Sequence, residues 1–148
     1  MRFIVTKELG RLAKWLRIMG FDAAYFTGEE KRELVIRSLR EERVILTRDS
    51  RMARYSGIRM VHISTDFVDE QVRQVIRELG GRPDEGKLFS RCVICNEPLT
   101  PIDKEAVREK VAPYVYETQE QFMRCPACDR IYWQGTHWSS VKKLLEKL

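Results

Sequence analysis

Four cysteines stand in two Cys-x-x-Cys pairs, Cys92/Cys95 and Cys125/Cys128. Each such turn aims two sulfurs at one ion while backbone N–H groups donate to the thiolates, and two turns complete the tetrahedral four-sulfur shell that Zn²⁺ accepts. The N-terminus, Met1-Arg2-Phe3-Ile4-Val5, is too short and too soon polar for an export signal. In such a chain paired cysteines point to metal or thiol redox chemistry and away from a disulfide framework. A redox pair has no need of a second copy, so the spacing predicts structural Zn²⁺ on Cys92, Cys95, Cys125 and Cys128 ahead of redox or iron chemistry. Asn96 and Asp129 follow the second Cys of each pair, where these turns pass through positive φ, and they are among the few non-glycine types that tolerate it. A closed four-sulfur shell does no chemistry. It presents its neighbours, Arg91, Arg124, Arg130, Tyr132, Trp133, His137 and Trp138. Cations beside stacking rings suit single-stranded nucleic acid. The alternative is that the rings pack the small lobe against the large one and that His137 is a hydrogen-bonded structural residue.

A second set of candidate residues is acidic. In an open parallel sheet, ligands collect outside the carboxyl ends of the strands, and carboxylates gathered there can hold Mg²⁺ or Mn²⁺ for attack on a phosphodiester. Asp49 follows the apolar run Val44–Thr47 and is placed for this role. Glu29, Glu30 and Glu33 lie just beyond the preceding strand, and Asp66 beyond the following one. Asp22 falls at the starting end of its strand and is discounted. The competing role for Asp49 and Asp66 is helix capping, and for the glutamates an exposed first helical turn.

The elements that must position these groups alternate in the first half of the chain. Arg2–Val5, Asp22–Phe26, Val44–Thr47 and Arg59–Ile63 have strand composition. Helical periodicity runs through Leu9, Leu12, Ala13, Leu16 and Met19 up to Gly20, and again through Val72, Val75, Ile76 and Leu79 up to Gly80-Gly81. Thr27-Gly28-Glu29-Glu30 has the pattern of a capping box opening a helix to about Glu42, and a short helix is expected from Asp49 to about Tyr55. This alternation predicts an α/β fold with a parallel sheet and flanking helices over residues 1–82. The linker-like stretch Gly81–Gly86 separates it from a zinc ribbon with a C-terminal helix over residues 87–148, which has too little apolar sequence for a core without its metal. Within the ribbon a helix is expected at Asp103–Val111. The last helix carries Val141, Leu144, Leu145 and Leu148 behind a Ser139 or Ser140 cap, and packs back on the body.

Charge bears on the partner. The 148 residues carry 27 Lys and Arg against 22 Asp and Glu, and 14 against 8 of these fall before Ile63. Arg11, Lys14 and Arg17 share one helix, and Arg48, Arg51 and Arg54 surround the third strand's exit. Such a surface attracts phosphate backbones without reading sequence. No apolar run approaches the ~20 residues needed to span a bilayer, so a soluble cytoplasmic protein with no membrane contact is expected.

Six stretches then carry a family resemblance. They are Leu9-Gly10-Arg11-Leu12-Ala13-Lys14-Trp15-Leu16-Arg17, Gly20-Phe21-Asp22, Leu46-Thr47-Arg48-Asp49, Ser90-Arg91-Cys92 to Cys95-Asn96, Pro113-Tyr114-Val115-Tyr116, and Cys125-Pro126 to Cys128 with Tyr132-Trp133-Gln134-Gly135-Thr136-His137-Trp138. In this order, over nearly the whole chain, they resemble the mut-seven C-terminal ribonuclease domain family. The resemblance implies a PIN-like α/β nuclease fold followed by a zinc ribbon, and metal-dependent RNA cleavage. Asp49 with Glu30 or Glu33 would then hold Mg²⁺ or Mn²⁺ as the catalytic group. Arg11 and Arg48, with His137 and Trp138, would contact RNA. Family members commonly carry Asp at the mouth of the first strand, where this chain has Thr6, and the acidic position opening the second helix falls near Lys31. A hydroxyl is a poor Mg²⁺ ligand beside a carboxylate, so a weakened nuclease that still binds RNA is expected. The alternatives are a non-catalytic RNA-binding or ribosome-associated zinc-ribbon module, and a protein-interaction adaptor that uses the aromatics as its interface.

Overall fold

A computed structural model describes residues 1–52, 57–135 and 137–148, the side chains of His137 and Trp138 excepted. Four strands, β1 (Arg2–Thr6), β2 (Asp22–Phe26), β3 (Val44–Thr47) and β4 (Met60–His62), form a wholly parallel sheet in the order β2-β1-β3-β4. The crossovers are α1 (Gly10–Ile18), reached from β1 through a 3₁₀ turn at Lys7–Leu9, and α2 (Lys31–Glu41), and α3 (Val68–Leu79) follows β4.

The strands are apolar on both faces because both faces are covered. Phe3, Val5, Val44 and Leu46 point into a core shared with Leu12 and Leu16 of α1 and Val72 and Val75 of α3. Ile4 and Ile45 point the other way, against Leu34 of α2. The period-2 alternation of a strand thus supplies two cores from one run of residues.

Gly20 ends the turn after α1 at φ 90°, and a Cβ there would stand 2.4 Å from the Lys87 carbonyl oxygen, so only glycine lets the linker approach. The second helix begins later than its capping-box pattern predicts. Gly28 lies so close to the Phe26 ring that a Cβ would come within 2.7 Å of it. Glu30, in extended conformation, becomes the residue before α2, with no side-chain cap bond. The short helix expected after Asp49 runs into residues 53–56, outside those described.

A second, antiparallel sheet holds β5 (Thr100–Ile102), β6 (Phe122–Arg124) and β7 (Ile131–Tyr132), in that order. The helix expected at Asp103–Val111 is replaced by a 3₁₀ turn at Lys104–Val107 and by α4 (Pro113–Thr118). Pro113 opens α4, where its fixed φ and missing N–H suit the first turn. The last helix, α5 (His137–Glu146), starts before the expected serine cap, and its Leu144 joins the core of the parallel sheet. Among the described residues no helix is long and apolar enough to cross a membrane.

Candidate functional site

The two CxxC turns are built alike. Cys92 N–H donates to Glu97 O and Cys125 N–H to Arg130 O, both at 2.9 Å, while Asn96 N–H and Asp129 N–H donate to Cys92 O and Cys125 O, again at 2.9 Å. Asn96 and Asp129 adopt φ 65° and 64°, the left-handed conformation anticipated for them. The four sulfurs lie within 4.8 Å of one another, with Cys92 Sγ and Cys128 Sγ 3.8 Å apart. A tetrahedron with Zn–S bonds of about 2.3 Å has edges of about 3.8 Å, so the cysteines fit Zn²⁺. Their acidities are already divided: bonds from Arg130, its backbone N–H first, pull the Cys128 thiol down to about 6, and sharing its proton with Cys128 pushes Cys95 up to about 12. Four thiols this close ionise together only around a cation. The Tyr132 hydroxyl lies 3.0 Å from Cys92 Sγ and accepts the Val93 N–H, which gives this ring a supporting place behind the sulfur.

The first knuckle is anchored to the parallel sheet. Arg17, expected on the basic face of α1, is buried instead. It donates from Nε to Ala23 O at 2.9 Å and from Nη1 to Val93 O and Ile94 O at 2.8 and 3.2 Å. Asn96 accepts the Ala23 N–H at 3.0 Å and donates to Asp22 Oδ1 at 2.7 Å. Asp22, at the starting end of β2 as expected, also accepts from Arg43 at 2.7 Å. Burial raises its pKa and the bonds from Arg43 and Asn96 more than reverse that, holding the carboxyl below its ordinary range.

At the opposite, carboxyl edge of the sheet a pocket of about 150 Å³ is lined by Thr6, Glu8, Glu30, Lys31, Thr47 and Asp49, among others. Both oxygens of Asp49 are engaged: Oδ2 by Lys31 Nζ at 3.0 Å, and Oδ1 by the backbone N–H and Nε of Arg51 at 3.0 and 3.3 Å. The bond from Lys31 is the main cause that brings this carboxyl down to about 2. The contact with the Arg51 N–H is the local turn-closing bond that an Asp makes two residues on. Glu8 escapes the sequence reading and is the addition here. Its Oε1 accepts from Thr6 Oγ1 at 2.5 Å, from the Arg48 N–H at 3.2 Å and from Thr47 Oγ1 at 3.5 Å. Burial raises its pKa, yet these donors outweigh it and the net shift is downward. The rule that drew attention to Glu29 and Asp66, a carboxylate just past a strand's carboxyl end, would have found Glu8 as well.

Glu30 shares this pocket with Asp49, whereas Glu33 lines the adjoining depression beside Tyr25 and Arg37. Glu29 pairs with Lys7 at 2.7 Å. As they stand, these oxygens fit Mg²⁺ or Mn²⁺ poorly, because protein donors occupy both oxygens of Asp49 and one oxygen of Glu8. Among the described residues, the four cysteines are the one group of three or more His, Cys, Asp or Glu side chains converging closely enough to share an ion.

The expected RNA contacts are placed unequally. Arg48 forms a short ion pair with Asp66. Arg11 and Lys14 are exposed, have no carboxylate partner among the described residues, and line a groove of about 410 Å³ with Tyr25, Val93 and Ile94. The expectations for the side chains of His137 and Trp138 lie outside what is described.

The architecture and the site together define an α/β protein whose parallel sheet carries a polar carboxyl edge and is clamped to a four-cysteine metal centre. The family model described as the Mut7-C RNAse domain matches residues 1–145, and the chain belongs to this family. Searches of curated proteins and of solved structures return no match to it.

Proposed function

We propose that this ribonuclease-family protein binds single-stranded RNA through its phosphate backbone, and that its sheet edge receives the phosphodiester with cleavage held low. The observation that carries the reading is the groove between α1 and the Cys92–Cys95 knuckle. There Arg11 and Lys14 project without a neutralising carboxylate among the described residues, beside the half-exposed ring of Tyr25. Free cations along a helix bind phosphates by releasing condensed counterions, and a ring beside them offers a base a stacking surface. Tyr25 donates to the Lys7 backbone carbonyl, which ties the groove to the loop that also carries Glu8.

At the edge itself, this chain's residues support retention more than turnover. Thr6 supplies a hydroxyl where the family resemblance leads one to expect a carboxylate. Lys31 brings a positive charge to Asp49 in place of a further acid. Lys7 is paired with Glu29 and Lys31 with Asp49, while Asp49 and Glu8, both held ionised, have two oxygens and one oxygen respectively committed to neighbours. The zinc held by Cys92, Cys95, Cys125 and Cys128 supplies a structural cross-link that fixes the knuckle bordering the groove.

The test uses the zinc-loaded protein and a fluorescently labelled single-stranded RNA. Anisotropy titrations are run across a salt series, and the same RNA is followed on gels after Mg²⁺ or Mn²⁺ addition, with Asp49→Ala alongside. Salt-dependent binding that Asp49→Ala retains, with little or no Asp49-dependent cleavage, is expected. Absence of salt-dependent binding overturns the RNA reading. Rapid cleavage abolished by Asp49→Ala overturns the claim that turnover is held low.

A further inference from the structure

We propose that the cleft between the linker and the antiparallel sheet is a second subsite, one that accepts an unstacked nucleobase. The proposal rests on the RNA reading above and names what the ribbon adds to it. The cleft measures about 510 Å³, within the range of small-ligand sites. It is lined by Phe89, Met123, Trp133 and the amides of Gln119, Gln121 and Gln134.

Its chemistry differs from that of the α1 groove. Its charged groups are one of each sign: Arg91 spends one of its N–H donors on Asn96 O at 2.7 Å, and Glu120 pairs with Lys104 at 3.2 Å. The three glutamine side chains have no hydrogen-bond partner among the described residues, and each offers a carbonyl acceptor and an NH₂ donor, the complement of a base edge. Trp133 is 37% exposed in spite of its size. Its ring is steadied by Phe122, with centroids 6.3 Å apart at 62°, and Gly135 crowds it so closely that a Cβ would meet Nε1 at 3.3 Å. Phe89 sits at φ 59° with its N–H donating to Ile18 O at 2.8 Å, a costly backbone conformation for a bulky residue that the surrounding structure enforces. A held indole, an apolar floor and unpaired amides at the rim together match a flat, neutral, hydrogen-bonding ligand.

Position selects RNA over a peptide. Val93 lines both this cleft and the groove that holds Arg11 and Lys14. A strand whose phosphates follow α1 therefore reaches the cleft across the Cys92–Cys95 knuckle, with a base free to turn in.

The experiment pairs a protein change with a ligand change. Zinc-loaded wild type and Trp133→Leu are titrated with one labelled single-stranded RNA and with copies carrying an abasic residue at each position in turn. Stacking of one base on an aromatic ring predicts a roughly tenfold loss for wild type at one abasic position. Trp133→Leu should lose a similar factor on intact RNA and nothing further on that abasic copy. Gln121→Ala with Gln134→Ala, both exposed, should weaken intact RNA severalfold at unchanged zinc content and melting temperature, and this double variant decides the matter if Trp133→Leu does not fold. Wild-type affinity in the folded Trp133→Leu variant, or an abasic penalty that persists in it, overturns the base subsite while leaving the backbone reading intact. No RNA affinity in wild type overturns both.

Discussion

Replacing Arg17 by Met keeps an unbranched stem in the core and removes the guanidinium that joins α1, β2 and the first zinc knuckle. Three bonds disappear, to Ala23 O at 2.9 Å and to Val93 O and Ile94 O at 2.8 and 3.2 Å. Hydrogen bonds from a charged donor contribute about 1.5–3 kcal/mol each, with the full figure expected only where the acceptor stays dry. Ala23 is fully buried, whereas Val93 and Ile94 are half-buried and exposed, so their carbonyls regain water. Relief of the buried charge offsets part of the loss. A net destabilisation of about 3 kcal/mol follows, and for a chain of this length that lowers the melting temperature by roughly 6–12 °C. Two of the three acceptors belong to the knuckle, so the variant should also surrender zinc faster to a chromogenic chelator. Calorimetry of the zinc-loaded protein and chelator-transfer kinetics check both parts. An unchanged melting temperature refutes the energetic argument; a lowered one with wild-type zinc release refutes the claim that Arg17 couples the two sheets.

Other outcomes follow from the sheet edge and the groove. The Asp49 carboxyl, lowered from 3.8 to about 2, contributes stability that is present above its unfolded pKa and lost as pH falls through about 2. Carbon-detected NMR should give a wild-type midpoint near 2, moving toward the ordinary carboxylate range in Lys31→Gln; a midpoint unmoved by that change contradicts the assigned cause. Because Lys31 competes for Asp49 Oδ2 at 3.0 Å, Lys31→Gln should also bind Mn²⁺ about tenfold more tightly than wild type, as read from the free-ion EPR signal of zinc-loaded protein. Equal affinities would show that the lysine does not govern access. Arg11→Ala with Lys14→Ala should lower the slope of log affinity against log salt by about 1.4 for single-stranded RNA if each cation meets one phosphate. An unchanged slope removes the groove from the RNA path.

The zinc centre was legible because its signal is local. Two CxxC turns fix two sulfurs each, and Asn96 and Asp129 mark the backbone twist without reference to the rest of the fold. The strands Val44–Thr47 and Arg2–Val5 were equally plain, since a doubly covered strand carries apolar residues on both faces, as Phe3-Ile4-Val5 and Val44-Ile45-Leu46 do. Less was legible where tertiary contacts decide. Arg17 has the spacing of an exposed basic residue, and only the knuckle's carbonyls, 76 and 77 residues along the chain, turn it inward. Thr27–Glu30 has a capping pattern, but the Phe26 ring against Gly28 delays the helix. Glu8 stands just past the carboxyl end of β1, where the strand-edge rule applies, but its partners were not legible. Its place follows from Thr6, Thr47 and the Arg48 N–H meeting at one oxygen, a convergence of two strands that no linear window contains.

The return of α5 has a consequence for how the chain is made. Leu144 seals the same core as Phe3 and Val5, yet the whole cysteine lobe must be synthesised between them. A nascent chain that has completed its parallel strands still exposes the apolar surface that Leu144 will cover, and it keeps doing so until the knuckles have captured their ion and the terminal helix can swing home. Newly made protein short of zinc is therefore expected to clump through the apolar face that Leu144 would cover.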